Sequence, residues 1–192
     1  MLLWLTDYLS QFLPAFGVFQ YLTFRTMVSA GTAMFLSLTL GPMLIRKLSS
    51  HQIGEVVRED GPSSHQSKAG TPTMGGALIV VVILTTTILW GDLGSRYVLI
   101  VLSVTLAFGA IGWIDDYVKI SRSTAGHGLS AKWKYFFQSV FGFAAAVVLY
   151  RTASSAVDTA LIVPFFKAIS IPLGTFGFIF LGYLIIVGMS NA

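Results

Sequence analysis

Between Tyr97 and Ile114 the chain runs for 18 residues without a charge, and then two carboxylates, Asp115 and Asp116, arrive side by side. An apolar run of that length predicts a helix that crosses a bilayer. The acid pair then falls where a span meets water, at a depth where an uncompensated carboxylate is costly. A cation has to offset it. Composition points the same way: 55% of the residues are hydrophobic and 10% are charged, against roughly a quarter charged in an ordinary soluble domain. The absence of cysteine excludes disulfides and thiolate-bound metals. The net charge of +4 is read as membrane topology and not as a nucleic-acid footprint, because basic residues in such a chain first report sidedness.

The chain predicts an all-α fold, a polytopic transmembrane bundle forming one integral membrane domain over residues 1–192. Residues 1–22 mix apolar side chains with Asp7, Gln11 and Pro14, which suits an interfacial helix better than a span. About five spans follow, near 26–45, 73–90, 97–114, 133–150 and 173–192. Gly41-Pro42 is expected to bend the first of them. The short turn from Gly91 to Arg96 makes the second and third antiparallel neighbours. Loops 46–72 and 115–134 together hold eight Lys/Arg, whereas the loops on the other face hold Arg96, Arg151 and Lys167. The richer loops are therefore assigned to the cytoplasm and the N-terminus to the outside. The fifth span ends without a polar cap or tail, so the chain reads as part of a longer protein.

Three clusters carry chemistry. Neighbours on a helix diverge by about 100°, so Asp115 and Asp116 are expected to share one ligand only where the helix unwinds. A divalent cation on one carboxylate, with a lysine or a substrate proton at the other, is one arrangement; a solvated helix end is the plain alternative. The stretch from Asp60 to Gly76 sets Lys68, hydroxyls and glycines ahead of a span. Those are the ingredients of a phosphate cradle, although Thr71 or Thr73 could equally be a simple N-cap. Lys119, Arg122, Lys132 and Lys134, with His127, form a basic loop that anionic lipid alone could explain. A cation-binding transporter would need its acids near mid-membrane, and here the polar clusters sit at span ends.

Taken together, several strings resemble the phospho-N-acetylmuramoyl-pentapeptide transferases. They are Tyr21-Leu-Thr-Phe-Arg25, Arg58-Glu-Asp60-Gly-Pro, His65, Lys68, Gly70-Thr-Pro-Thr-Met-Gly-Gly76, Ile114-Asp-Asp-Tyr117, Lys132-Trp-Lys-Tyr-Phe136, Val163-Pro-Phe-Phe-Lys167 and Gly188-Met-Ser-Asn-Ala192. The resemblance implies a bacterial inner-membrane enzyme that moves phospho-N-acetylmuramoyl-pentapeptide from its UDP carrier to undecaprenyl phosphate, giving lipid I and UMP. It implies Mg²⁺, a cytoplasmic active site, a periplasmic N-terminus and a homodimer. Asp115 and Asp116 match the catalytic, metal-holding pair; Lys68, Thr73, Lys119, Lys134 and Asn191 match substrate-binding residues. The family has roughly ten spans, a third essential aspartate and a histidine-rich loop in its second half, so a further metal ligand is expected beyond residue 192 and the chain alone is expected to be inactive. After Arg122 the chain reads Ser-Thr-Ala-Gly-His-Gly-Leu, where the family pattern has more lysine. A transferase for another N-acetylhexosamine 1-phosphate would share the acid pair.

Overall fold

The computed structural model describes residues 2–50, 75–121, 128–163 and 169–191. Over these the protein is mostly helical. The N-terminal segment is broken in two: α1 (Leu2–Ser10) is followed by a 3₁₀ helix, Pro14–Gln20. Pro14 has no N–H to continue the ladder and its fixed φ starts the new turn. Next come α2 (Leu22–Ser50), α3 (Gly75–Trp90), α4 (Arg96–Ser121), α5 (Ala131–Arg151) and α6 (Gly174–Ser190). Each sequence-derived span thus contains a helix, but the boundaries move.

Helix α2 passes through Pro42 and extends past the expected end at Ile45. Helix α4 carries on seven residues beyond Ile114, so the aspartates lie on a helix and not in a loop. The reason is local. Residues 115–121 contain no glycine or proline, and Lys119 pairs with Asp115 and Asp116 at i,i+4 and i,i+3 spacing. Acid before base at that spacing supports a helix, and a lysine in the last turn offsets the negative end of the helix dipole.

Among the described residues two helices, over Leu22–Lys47 and Arg96–Lys119, are long and apolar enough to cross a membrane. Helices α3 and α6 are apolar but shorter; at 1.5 Å per residue they measure about 24–26 Å, under the roughly 30 Å of a hydrocarbon core. An all-α fold is not what forms outside the helices. A 3₁₀ turn (Ala156–Thr159) leads into two short strands, β1 (Ala160–Ile162) and β2 (Ser170–Pro172). They pair antiparallel with Leu161 opposite Ile171. β-branched and leucine side chains at 161, 162 and 171 suit an extended pair, a signal too short to separate from a loop in the sequence.

Consecutive helices pack as antiparallel neighbours: α2 on α3, α3 on α4, α4 on α5 and α5 on α6. Trp90 Nε1 donates to Thr32 Oγ1 at 3.1 Å near one end of the α2–α3 pair, while Gly41 lies against Leu78 near the other. Close approach is achieved with small residues. A Cβ on Gly109 would sit 2.9 Å from Val80 Cγ1, and one on Gly142 would sit 2.6 Å from Val187 Cγ2. That is the packing mode of helices in lipid, where van der Waals fit replaces the hydrophobic drive. The buried apolar set among the described residues is correspondingly small, comprising Val82, Ile111, Ala145, Ala146 and Val187. Large apolar side chains face outward instead, Phe176 at 90% exposure among them. Water is a poor solvent for such a surface; lipid is a good one.

The alternation has one consequence for function. The end of α2, the start of α3, the end of α4, the start of α5 and the end of α6 all lie at one end of the bundle.

Candidate functional site

The acid pair occupies the last two turns of α4. Asp115 is buried, at 8% exposure, and Asp116 is partly open. Lys119 Nζ lies 2.9 Å from Asp115 Oδ2 and 3.2 Å from Asp116 Oδ1. One ammonium therefore serves both carboxylates on an unbroken helix, which corrects the expectation that the helix must unwind for the pair to share a ligand. The angular arithmetic explains it. At about 100° per residue, residue 119 falls about 40° past residue 115 and about 60° short of residue 116. A group one turn along lies between two adjacent side chains. Helical side chains also lean toward the N-terminus, which carries the lysine back over the pair.

The other oxygen of Asp115 is held from outside the helix. The Leu129 backbone N–H donates to Asp115 Oδ1 at 2.8 Å. A hydrogen bond onto an ionised carboxylate is about twice as strong as a neutral one. The segment that delivers it can come this close only because residue 128 has no side chain: a Cβ there would overlap Asp115 Oδ1 and stand 2.7 Å from Lys119 Cε. Ser130 then turns extended and α5 begins. Lys134, in the first turn of α5, adds its positive charge to the field at Asp115. Around the site, Trp113 stacks on Tyr117 and Trp133 on Phe137, with centroids 5.4 and 5.8 Å apart. These rings are exposed, as aromatic side chains at a bilayer boundary are.

The structure thus brings Asp115, Asp116, Lys119 and Lys134 together. Asn191 lies at the end of α6, at the same end of the bundle, and there its amide donates to Val187 O at 2.8 Å and lies 3.3 Å from Ser190 Oγ; α5 stands between it and α4. Lys68 and Thr73 lie outside the described residues, as do His65, Arg122, His127 and Lys167. Two contributors escaped sequence reasoning. Gly128 and the Leu129 amide hold Asp115, and the only trace in the chain is a glycine shortly before the serine that opens α5.

Mg²⁺ fits the described donors to a limited extent. It is usually held by one or two carboxylates, substrate phosphates and waters. Asp115 and Asp116 already converge on one positive charge, and Asp116 Oδ2 has no hydrogen-bond or ion-pair partner among the described residues. Among those residues no three His, Cys, Asp or Glu side chains gather, so such an ion would take its remaining ligands elsewhere.

These features define a class: a mostly helical membrane protein with an acidic pair and two lysines at one end of the bundle. Residues 68–80 match the phospho-N-acetylmuramoyl-pentapeptide-transferase signature 1, and the match supports the family that the sequence strings resemble. Its described part, residues 75–80, is the first turn and a half of α3. Val80 at its end is the residue that packs against Gly109 of α4, less than two turns before Asp115.

Proposed function

We propose that the protein transfers phospho-N-acetylmuramoyl-pentapeptide from its UDP carrier to undecaprenyl phosphate, releasing UMP and forming lipid I. The observation that carries this reading is the junction just described: the signature enters the helix that packs on the one bearing Asp115 and Asp116. A polyprenyl acceptor requires a site at a membrane boundary, and a diphosphate donor requires cations. Phosphoryl transfer is mostly positioning and charge neutralisation. Asp115 and Asp116 would hold Mg²⁺, which when bound neutralises charge on the diphosphate. Lys119 and Lys134 would take phosphate oxygens, joined by Lys68, Thr73 and Asn191 from the other segments at this end. The Leu129 N–H holds the Asp115 carboxylate in place at 2.8 Å.

In this reading residues 1–192 form one integral membrane domain in which all five helices α2–α6 span the bacterial inner membrane. The N-terminus is periplasmic, the acidic end of the bundle faces the cytoplasm, and the protein pairs as a homodimer.

The test uses membranes containing the intact protein, supplied with UDP-N-acetylmuramoyl-pentapeptide, undecaprenyl phosphate and Mg²⁺, with UMP release followed over time. Release that requires the metal and collapses in Asp115→Asn and in Asp116→Asn supports the reading. Release indifferent to both substitutions removes the acid pair from the site. Release only with UDP-N-acetylglucosamine reassigns the donor.

A further inference from the structure

At the end of the bundle opposite the aspartates, a cavity of about 440 Å³ is lined by Leu3, Trp4, Asp7, Gln20, Arg25 and Asp92. That volume lies within the usual range of small-ligand sites, about 300–1,000 Å³. Its charged groups are not neutralised by one another. Asp7 Oδ1 accepts from Gln20 Nε2 at 2.9 Å and Asp92 Oδ1 accepts from the Gly94 N–H at 3.0 Å. The ion pairs among the described residues lie elsewhere and leave out Arg25. Arg25 Nε is buried without a hydrogen-bond partner among the described residues. Buried donors are nearly always paired, so Arg25 brings a free donor to the lined cavity.

The charge pattern selects the ligand's chemistry. A simple anion would meet Arg25 but be opposed by Asp7 and Asp92. A simple cation would meet the reverse. A phosphate with a primary ammonium a few bonds away satisfies all three side chains. The surroundings select its source. Trp4, which lines the cavity, is exposed, as are Leu5 on α1 and Leu22 and Met27 on α2. Arg25 sits in the first turn of α2, near the N-terminal end of the stretch Leu22–Lys47 that is long and apolar enough to cross a membrane. The cavity is therefore at headgroup level with apolar surface below it, and Trp4 is the residue type that anchors at that level.

We propose that this cavity binds the headgroup of a zwitterionic aminophospholipid, with the phosphate on Arg25 and the ammonium between Asp7 and Asp92. The proposal rests on α2 crossing a membrane and is independent of the transferase chemistry.

The intact protein, extracted and stripped of lipid, is offered phosphatidylethanolamine, phosphatidylcholine or phosphatidylglycerol, and retained lipid is counted by native mass spectrometry. Phosphatidylethanolamine is expected to be retained about tenfold better than the other two, the effect of one or two charge-assisted contacts. Arg25→Gln should abolish the preference and Arg25→Lys should restore part of it, while UMP release is unchanged in both. Equal retention of the three lipids by the unsubstituted protein overturns the proposal without needing any variant. A preference that survives Arg25→Gln also overturns it, as does equal stabilisation by water-soluble glycerophosphoethanolamine, which would assign the cavity to a soluble zwitterion. Absence of UMP release by the unsubstituted protein would count against the transferase reading and leave the lipid site standing.

Discussion

Helix α4 carries an aspartate–cation cluster at each end, and the two are built differently. At its start, Arg96 Nη2 pairs with Asp158 at 3.1 Å and Nη1 donates to Ser154 Oγ at 2.7 Å. Asp158 also accepts from the Ser154 N–H at 2.8 Å and the Ser155 hydroxyl at 3.0 Å. Both its oxygens are occupied, mostly by groups within four residues. The cluster ties the turn before β1 to the bundle, with both Asp158 oxygens engaged. At the other end, Asp115 is buried and held by a backbone N–H fourteen residues away, while its neighbour keeps an oxygen open. Saturation marks a latch; a fixed carboxylate beside a half-engaged one, with lysines alongside, marks a place prepared for a charged ligand.

The sharpest way to break this contrast is to neutralise each end in turn. Asp115→Asn or Asp116→Asn should lower kcat for UMP release on the order of 10²–10³-fold, the usual cost of removing one preorganised electrostatic group. Next in size is Gly128→Ala. Its Cβ would displace the Asp115 carboxylate or the Lys119 stem, and a displacement of about 1 Å can cost about 10²-fold in rate. The loss should appear in kcat with the helical circular dichroism unchanged; full activity in this variant would show that the Leu129 contact is incidental. Arg96→Gln should leave UMP release intact and lower the melting temperature only slightly, because exposed ion pairs contribute little. A large activity loss there would dissolve the distinction between the two ends.

The difference between the ends also shows what sequence could supply. Each apolar run overlaps one of the described helices α2–α6. The runs did not locate the helix ends. At 115–121 the competing signal, charge, argues for a loop, whereas three charged side chains at helical spacing stabilise one another and extend the helix. The acid pair, Lys119 and Lys134 were legible as chemistry-bearing types in the right order. The support for Asp115 was not, since it comes from a backbone amide and from the missing side chain of Gly128, neither of which leaves a pattern. The Arg96–Asp158 latch was equally silent: its partners are 62 residues apart, and nothing local to either announces the other. Lys68 and Thr73 rest on the signature and the family strings alone.

The smallest expected effect is the pH dependence of the latch. The Ser154 N–H and, next, the Ser155 hydroxyl hold the Asp158 carboxyl below its ordinary value of 3.8, with Arg96 adding a lesser pull. A carboxylate depressed in the folded state stabilises that state above its unfolded pKa, and the contribution fades as pH falls through the lowered folded value. The melting-temperature gap between the unsubstituted protein and Asp158→Asn should therefore be full near about pH 6 and close progressively as the pH falls below the ordinary value of 3.8. Other carboxylates titrate in both proteins and cancel in the difference. UMP release at neutral pH should be the same for the two, because this cluster lies at the far end of α4 from the aspartate pair. A gap that stays constant, or widens, as the solution is acidified would mean that Asp158 is not held by its serines in the folded protein, and that the far end of α4 is secured by the strand pair alone.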